Sequence, residues 1–352
     1  MTQSKTAEGN YFEDFTVGQE LRHATPRTVT EGDLALYLGL FGSRFAVTSS
    51  SEIARSIGFA RSPVDDWLVF HLVFGKSVPD VSLNAVANLG YAQGRFTGLV
   101  YPGDTLSTRS KVIGVKQNSN GKTGVVYVQS TGTNQRGEIV LDYVRWVMVR
   151  KRDPSHPAPT AVIPDLAGRV APETITLPAG SNFSGFDGTA SGSPHFFDDY
   201  AAGERIDHVD GVTIEEAEHM IATRLYQNTA KVHFNQHSES AGRFGRRLIY
   251  GGHIISLARA LSYNGLANAQ FVAALNGGSH AAPTFAGDTI YAWSEVLETV
   301  EAEGRGDVGL LRLRTVAAKN RPCGDFPDQT ADGKRDPDVV LDLDYWAVMP
   351  RR

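Results

Sequence analysis

The sequence predicts an α+β protein in which one domain occurs twice in tandem, each copy being an antiparallel sheet wrapped around a buried helix. Three observations lead to this fold class. The length, 352 residues, suggests two domains. Several short motifs recur once, in the same order, at a nearly constant distance. Each copy combines one strongly apolar helical segment with a series of strand-like segments.

The repeat consists of matched motifs separated by 183 to 200 residues. The pairs are YFEDFTVGQEL (11–21) with FFDDYAAGERI (196–206), the capping boxes at 30–33 and 213–216, YPGDTL (101–106) with FAGDTI (285–290), and LDYVRW (141–146) with LDLDYW (341–346). The longer last offset places an insertion at 320–336, whose Pro/Gly/Asp composition predicts a surface loop that contains the single cysteine, Cys323. Between the copies, 153–195 holds seven of the sixteen prolines and predicts an extended linker.

These landmarks predict an N-terminal domain at 1–152, the linker at 153–195 and a C-terminal domain at 196–352. In each domain a short capped helix comes first, at 34–40 and 217–226. A second helix, apolar almost all round, follows from Trp67 and from His253. Segments with β-branched and aromatic alternation then predict strands at 122–130, 138–149, 310–316 and 339–349.

Composition excludes several classes of protein. A net charge of −5 argues against a dedicated nucleic-acid binder. No apolar stretch approaches the roughly 18 residues that a membrane span needs, and the first residues lack the apolar core of a signal peptide. One cysteine excludes an internal disulfide or a multi-cysteine zinc site. We therefore expect a cytoplasmic protein without membrane or nucleic-acid partners.

One polar loop stands out as a candidate site. It runs from Tyr226 to His233, between the capped helix and the next apolar segment of the second copy. Four of the other nine histidines, His23, His156, His195 and His208, lie in a loop- or linker-like context, and His71 falls on the buried helix, where a core role is expected. The spacing of His233 and His237 is compatible with a metal, but no third ligand is evident, so no metal is predicted.

On these motifs the chain resembles the MaoC-like, (R)-specific enoyl-CoA hydratases, a family with the hotdog fold. The landmarks are YFEDFTVGQ, the capped helix, the turns GFAR (58–61) and FGRR (244–247), and PGDTL/AGDTI. The family's active loop carries an aspartate five residues before a histidine. The corresponding residues are Asn228 and His233 in the second copy, but Ser43 and Thr48 in the first. The resemblance therefore implies a tandem (double) hotdog whose first copy is degenerate and binds CoA and substrate, and whose second copy is catalytic.

A narrower resemblance concerns the substrate. The runs RHATPRTVTEGD, SLNAVANLGYA and QNTAKVHFNQ are similar to family members that hydrate mesaconyl-CoA, a dicarboxylic 2-enoyl thioester. A hydratase of plain fatty 2-enoyl-CoA is the alternative within the family. A non-catalytic acyl-CoA binding protein, with Asn228 marking lost activity, is the alternative from another class. In every case the resemblance implies a small-molecule acyl-CoA ligand, no separate cofactor and a homo-oligomer.

The resemblance also assigns roles to residues. His233 is the expected base, because imidazole titrates near neutral pH. Backbone N–H groups of Gly251, Gly252 and His253, at the start of the buried helix, are the expected donors to the thioester oxygen. Asn228 can orient water but cannot shuttle a proton. The second proton is then handled either by His233 itself or by a carboxylate from elsewhere.

The remaining candidates bind or supply charge. Asp65 and Asp66, which align with the Gly251–Gly252 pair, could supply that carboxylate or could simply cap their helix. Basic side chains could pair with a substrate carboxylate, and a double arginine could pair with the CoA phosphates. These basic candidates are Arg224 and Lys231, and Arg246 and Arg247.

Overall fold

The computed structural model describes residues 5–352, in which ten strands form one continuous antiparallel sheet. Their order across the sheet is β1-β3-β4-β5-β2-β7-β10-β9-β8-β6. The strands are β1 Glu20–Thr28, β2 Ala85–Phe96, β3 Thr105–Gln117, β4 Thr123–Thr133, β5 Ile139–Arg150, β6 Arg205–Thr213, β7 Phe271–His280, β8 Thr289–Glu301, β9 Val308–Lys319 and β10 Val339–Pro350. The first five belong to the first copy and the last five to the second, so each copy supplies half of the sheet.

Helices lie before and beside these strands. They are α1 Glu31–Phe41, α2 Ala46–Ser49, α3 Ser51–Ser56, α4 Asp66–Ser77, α5 Gly188–Ser191, α6 Glu216–Leu225, α7 Lys231–Phe234, α8 Gln236–Glu239, α9 Gly251–Leu261 and α10 Tyr263–Leu266. Short 3-10 turns occur at Phe12–Asp14, Pro172–Thr174 and Phe197–Asp199, and a π-helical turn follows α4 at Val78–Ser82. Within residues 5–352 no helix is long and apolar enough to cross a membrane.

The two halves join at β2 and β7, which pair antiparallel from Tyr91–Gly278 to Arg95–Ala274. Beneath the sheet, the two apolar helices α4 and α9 pack against each other. The His71 imidazole of α4 and the Ser256 hydroxyl of α9 are 2.9 Å apart. Side chains of both halves share one large hydrophobic core. The halves are therefore one folding unit with a common interior.

Matching hydrogen bonds confirm the duplication. Thr28 bonds Thr105 at 2.8 Å in the first half, and Thr213 bonds Thr289 at the same distance in the second. A buried histidine–hydroxyl chain also occurs twice, as His23–Ser110–Ser130 and as His208–Ser294–Thr315. The two copies therefore share their polar interior as well as their motifs.

The two predicted capping boxes have different outcomes. In the first half, Thr30 and Asp33 form the box at the start of α1 as predicted. The second box is wrong. Helix α6 begins at Glu216, its N-cap Glu215 makes no side-chain cap, and Thr213 is the last residue of β6. Its hydroxyl bonds Thr289 across the sheet, so it is not available to a helix.

The linker residues 153–195 contain two short helical turns, Pro172–Thr174 and Gly188–Ser191, and they contribute to the core. Val170 donates its N–H to Asn276 and accepts a bond from the Trp346 indole, while Phe183 is buried against Phe271. The insertion before β10 likewise covers apolar surface. Cys323 is 1% exposed there, beside Trp293, and burial raises its pKa to about 12, so it is a packed residue of the fold.

Candidate active site

The start of α9 has free backbone donors. Its N-cap, Tyr250, makes no side-chain cap, and the first turn contains no acidic residue. The N–H groups of Gly251 and Gly252 have no acceptor inside the helix, and none is found elsewhere in residues 5–352. A Cβ on Gly251 would lie 2.4 Å from the His280 ring, and one on Gly252 would lie 2.4 Å from the Tyr250 ring. Only glycine fits both positions.

His253, the third predicted donor, is not available. Its N–H bonds the Tyr250 carbonyl oxygen at 2.8 Å, so the donor pair reduces to Gly251 and Gly252. Its ring is buried against Phe41 and His219, and its Nδ1 has no partner in the described part of the chain. Burial lowers the pKa of His253 to about 3, which keeps the ring neutral.

His233 lies on α7 with one face against Tyr250, at 5.6 Å between ring centroids. Its Nδ1 is 2.9 Å from the Leu248 carbonyl oxygen. A carbonyl can only accept, so Nδ1 carries the proton and Nε2 keeps a free lone pair. Burial lowers the pKa of His233 to about 4. The side chain is therefore a neutral imidazole with its basic nitrogen fixed by the backbone.

Three residues of the site gave no signal in the sequence. The His219 Nε2 accepts the Tyr250 N–H at 2.9 Å and so holds the residue that begins α9. His280 ends β7, lies over Gly251, and has its pKa lowered to about 4 by burial and then by His233. Tyr91 of the first half bonds the His280 Nε2 at 3.1 Å. The Tyr91–His280 contact joins the two halves and depends on the pairing of β2 with β7.

Asn228 is buried, with 1% of its surface exposed. Its side-chain oxygen accepts the Ala230 N–H at 3.3 Å, which forms a local turn in the active loop. A Cβ on Gly75 of α4 would lie 1.8 Å from the Tyr226 carbonyl oxygen and 3.4 Å from the Asn228 nitrogen. The loop therefore rests directly on the buried helix of the first half.

The structure shows no contact of Asp65 or Asp66 with His233 or with Gly251–Gly252, although the Asp65 charge acts on Tyr226, the first residue of the active loop. Both aspartates begin α4, and α4 runs antiparallel to α9, so they face Arg259 near the far end of α9. About nine residues of helix separate them from Gly75, roughly 14 Å. Helix α4 begins at Asp66 and α9 at Gly251, which aligns Asp66 with Gly251, one residue later than the motif alignment. Asp65 caps its own helix by accepting the Trp67 N–H at 2.9 Å.

No carboxylate takes their place among the described residues. The pKa of His233 responds to burial and to the Leu248 carbonyl, and that of His280 to burial and His233. Within residues 5–352 no group of three or more His, Cys, Asp or Glu side chains is placed to hold a metal ion. The site is thus a neutral imidazole and peptide N–H environment.

The basic candidates lie around the loop. Arg224 is exposed and lines a cavity of about 340 Å³ between the active loop and the first half, whereas Lys231 is exposed on α7. Arg246 stacks at 4.0 Å from the centre of the Phe285 ring, and Arg247 pairs with Glu216 at 2.7 Å. Arg247 therefore already has a carboxylate partner, and Arg246 and Arg224 present their charges at the surface.

Comparison with known proteins identifies the family. The family model described as mesaconyl-CoA hydratase matches residues 2–325. A β-methylmalyl-CoA dehydratase from Chloroflexus aurantiacus is 64% identical over 349 residues, covering 99% of both chains. A mesaconyl-CoA hydratase from Cereibacter sphaeroides is 58% identical over 347 residues, covering 99% of this chain and 100% of the relative. The chain belongs to the mesaconyl-CoA hydratase family.

Solved structures of related proteins agree with the fold. A MaoC domain dehydratase from Chloroflexus aurantiacus superposes with a TM-score of 0.95 at 64% identity, covering 99% of this chain and 100% of that one. A Mycobacterium tuberculosis protein described as a double hotdog gives a TM-score of 0.76 at 27% identity, covering 98% and 99%. The predicted double hotdog and the MaoC-like resemblance are confirmed.

Proposed function

We propose that this protein catalyses the reversible hydration of mesaconyl-CoA to β-methylmalyl-CoA and is therefore a hydro-lyase. Both curated relatives carry names of this reaction, one for each direction. The observation in the site that best supports it is the neutral His233, with its Nε2 free, beside the uncapped helix start at Gly251–Gly252. Such a pair supplies a base and an oxyanion-binding group, the two requirements for adding water to an unsaturated thioester.

The reaction follows from these parts. The thioester carbonyl oxygen accepts hydrogen bonds from the Gly251 and Gly252 N–H groups, which stabilise the negative charge that develops there. His233 Nε2 takes a proton from water while the water oxygen bonds to the β-carbon. The alkene electron pair moves towards the thioester and forms an enolate. The resulting imidazolium then gives its proton to the α-carbon, so one O–H and one C=C bond are replaced by C–O and C–H bonds.

We assign both proton transfers to His233. No carboxylate affects the pKa of His233 or His280, and the side chain of Asn228 accepts a bond from its own loop. Because one nitrogen takes and returns the proton, water adds syn across the double bond. The low pKa, about 4, keeps the free base unprotonated, and the Leu248 carbonyl stabilises the imidazolium when it forms.

The other roles are proposed on the same basis. We infer that the first half binds substrate and CoA, and that two arginines of the second half assist it, Arg246 with a CoA phosphate and Arg224 with an anionic group at the cavity. A substrate that carries its own activating thioester needs no further cofactor. A cytoplasmic, homo-oligomeric protein stays our prediction, and light scattering after size-exclusion chromatography tests the oligomer.

The deciding experiment follows the loss of enoyl-thioester absorbance with mesaconyl-CoA, using crotonyl-CoA as the fatty-acyl reference. We expect much higher kcat/KM with mesaconyl-CoA. Hydration in D₂O followed by NMR of the product then gives the relative configuration, and syn addition is expected. Faster turnover of crotonyl-CoA would favour the fatty-acyl alternative, and no turnover of either would favour a binding protein. Anti addition would require a second proton donor.

A further inference from the structure

Lys76 is a buried cation beside the active loop, and no salt bridge joins it to a carboxylate in the described part of the chain. It lies near the end of α4, between Gly75 and Ser77, and is only 5% exposed. Its Nζ donates to the side-chain oxygen of Gln227, a neutral amide. Burial lowers the pKa of Lys76, and the one charged group in residues 5–352 that adds to this effect is Arg27, a second cation. Arg27 itself is paired with Asp33, so of these two cations only Lys76 lacks a carboxylate partner among the described residues.

Lys76 faces the cavity of about 340 Å³ that adjoins the active loop. Gln227, Thr229 and Phe234 line the same cavity, so its wall is built from the immediate chain neighbours of Asn228 and His233. The opposite wall is first-half backbone at Ala24–Thr25 and at the end of α4. A buried ammonium group therefore opens into a space that adjoins the active loop.

Keeping an unpaired charge in such a place lowers stability, because the ion has lost water without gaining a partner. An anion that enters with the ligand removes this cost. In mesaconyl-CoA the free carboxylate is attached to the alkene carbon that water attacks, so its binding group must stand beside the active loop. Lys76 and the cavity adjoin the loop that carries Asn228 and His233, although neither of these residues nor Gly251–Gly252 lines the cavity itself.

We propose that Lys76 binds the free carboxylate of the acyl group and thereby selects dicarboxylic thioesters, an inference that rests on the proposed function. The first half then supplies the specificity-determining charge, while the second supplies the base and the N–H donors. Arg224, exposed at the cavity rim, stands in water and contributes less.

Binding of unreactive saturated thioesters tests this without depending on turnover. Methylsuccinyl-CoA carries the free carboxylate and butyryl-CoA lacks it, and both have the same CoA. Calorimetric Kd values are compared for the wild type, Lys76→Met and Lys76→Arg, with Lys111→Met as the control, since Lys111 is an exposed lysine of the same half. We expect Lys76→Met to weaken methylsuccinyl-CoA roughly 10- to 100-fold, the usual value of a hydrogen bond to a charged group, and butyryl-CoA less than threefold.

The other variants and measurements distinguish the remaining explanations. Lys76→Arg should restore part of the preference, and unliganded Lys76→Met should melt at a higher temperature, because an uncompensated buried charge is gone. An equal loss for both thioesters would mean that Lys76 holds a CoA phosphate, and unchanged Kd values would mean that it binds no ligand anion. Either result overturns the proposal. Selective binding by a wild type that does not hydrate mesaconyl-CoA would support Lys76 and refute the proposed function.

Discussion

The two helix starts differ in how their backbone donors are used. At α4 the Asp65 carboxylate accepts the Trp67 N–H, and Asp66 accepts the Val272 N–H at 2.8 Å. At α9 no side chain caps the helix, and glycine replaces both Asp66 and Trp67. The first helix start therefore carries its own carboxyl acceptor, whereas the second is open to the oxygen of a ligand. The two helix starts therefore have similar geometry but differ in the group that accepts hydrogen bonds from their backbone N–H groups.

The loops beside these helices diverged in the same way. Thr48 occupies the position of His233, is buried, and donates its hydroxyl to the Phe45 carbonyl at 3.1 Å. The first-half counterpart of the active site is also covered, since linker residues 176–179 line the cavity of about 230 Å³ next to Asp66. In the first half, the counterparts of the site residues therefore have structural roles, as an N-cap, as a buried hydroxyl and as a surface covered by part of the linker.

The strongest test of this difference between the halves is to separate them. Fragment 190–352 loses the pairing of β2 with β7 and the first-half side chains Tyr91, His71 and Lys76 that surround the site. We expect it to be poorly soluble and inactive, which sedimentation and the mesaconyl-CoA assay measure. A well-folded, fully active fragment would show that the first half is dispensable.

Within the whole chain, the largest expected effect is that of His233→Ala. Removal of a general base lowers rates by about 10²- to 10⁴-fold, and the fold should survive because His233 is only partly buried. The matched change in the other half, Thr48→Ala, should leave kcat within a few-fold. Steady-state kinetics measure the activity of both variants, and circular dichroism checks that they are folded. Similar activities for the two variants would mean that the catalytic base is another residue.

The next largest expected effect on the rate is that of a substitution in the glycine pair at the start of α9, Gly251 and Gly252. The Cβ of Gly252→Ala would meet the Tyr250 ring at 2.4 Å and the His71 ring at 2.6 Å, so the helix start must shift. A displacement near 1 Å at a catalytic donor costs about 100-fold in rate. The control is Gly39→Ala on α1, where nothing lies within 4 Å. It should keep full activity and gain about 0.5–1 kcal/mol of stability, as alanine is the better helix former. Equal activities would exclude the Gly252 N–H as a donor.

The sequence predicts the copies and the buried helices, because repeats and long apolar segments can be recognised without a structure. His233 enters as a candidate base only through the family resemblance. The sequence predicts β4, β5, β9 and β10 and misses the other six described strands, β1, β2, β3, β6, β7 and β8. Of these, β1 and β6 lie at the two ends of the sheet and are mostly exposed, so they lack a clear alternation. It also misses His280, Tyr91 and Lys76. These residues join the site through the pairing of β2 with β7 and through the packing of α4 on the active loop, which are contacts between the halves.

The loop amide gives a moderate effect. Asn228 is buried within the active loop, next to which the free carboxylate of the substrate would bind. An aspartate at this position would therefore place two negative charges in one poorly hydrated pocket. We expect Asn228→Asp to raise KM for mesaconyl-CoA roughly tenfold and KM for crotonyl-CoA much less. Equal changes for the two substrates would show that Asn228 takes no part in charge selection.

The smallest expected effect on turnover is that of Asp66→Asn, which instead changes the pH dependence of stability. Burial and then the neighbouring Asp65 raise the pKa of Asp66 to about 8, whereas burial lowers the pKa of His233 and His280 to about 4. Between pH 4 and 6.5 the unfolded chain binds more protons at these histidines, so the free energy of unfolding falls as the pH drops. Each histidine contributes about 1.4 kcal/mol per pH unit in that window.

Asp66 acts in the opposite direction. Above pH 4 its unfolded form ionises while the folded form stays protonated, so its contribution to stability declines as the pH rises towards 8. Asparagine mimics the protonated acid and can still accept the Val272 N–H. Urea unfolding should therefore show Asp66→Asn to be more stable than the wild type by several kcal/mol at pH 7.5, since about 1.4 kcal/mol is lost per pH unit, and nearly equal to it at pH 4. Catalysis should be retained, because Asp66 lies at the far end of α4. A gain of the same size at both pH values would show that Asp66 is not protonated in the folded protein. Loss of turnover in a folded Asp66→Asn would restore this acid as the second proton donor and remove the assignment of both transfers to His233.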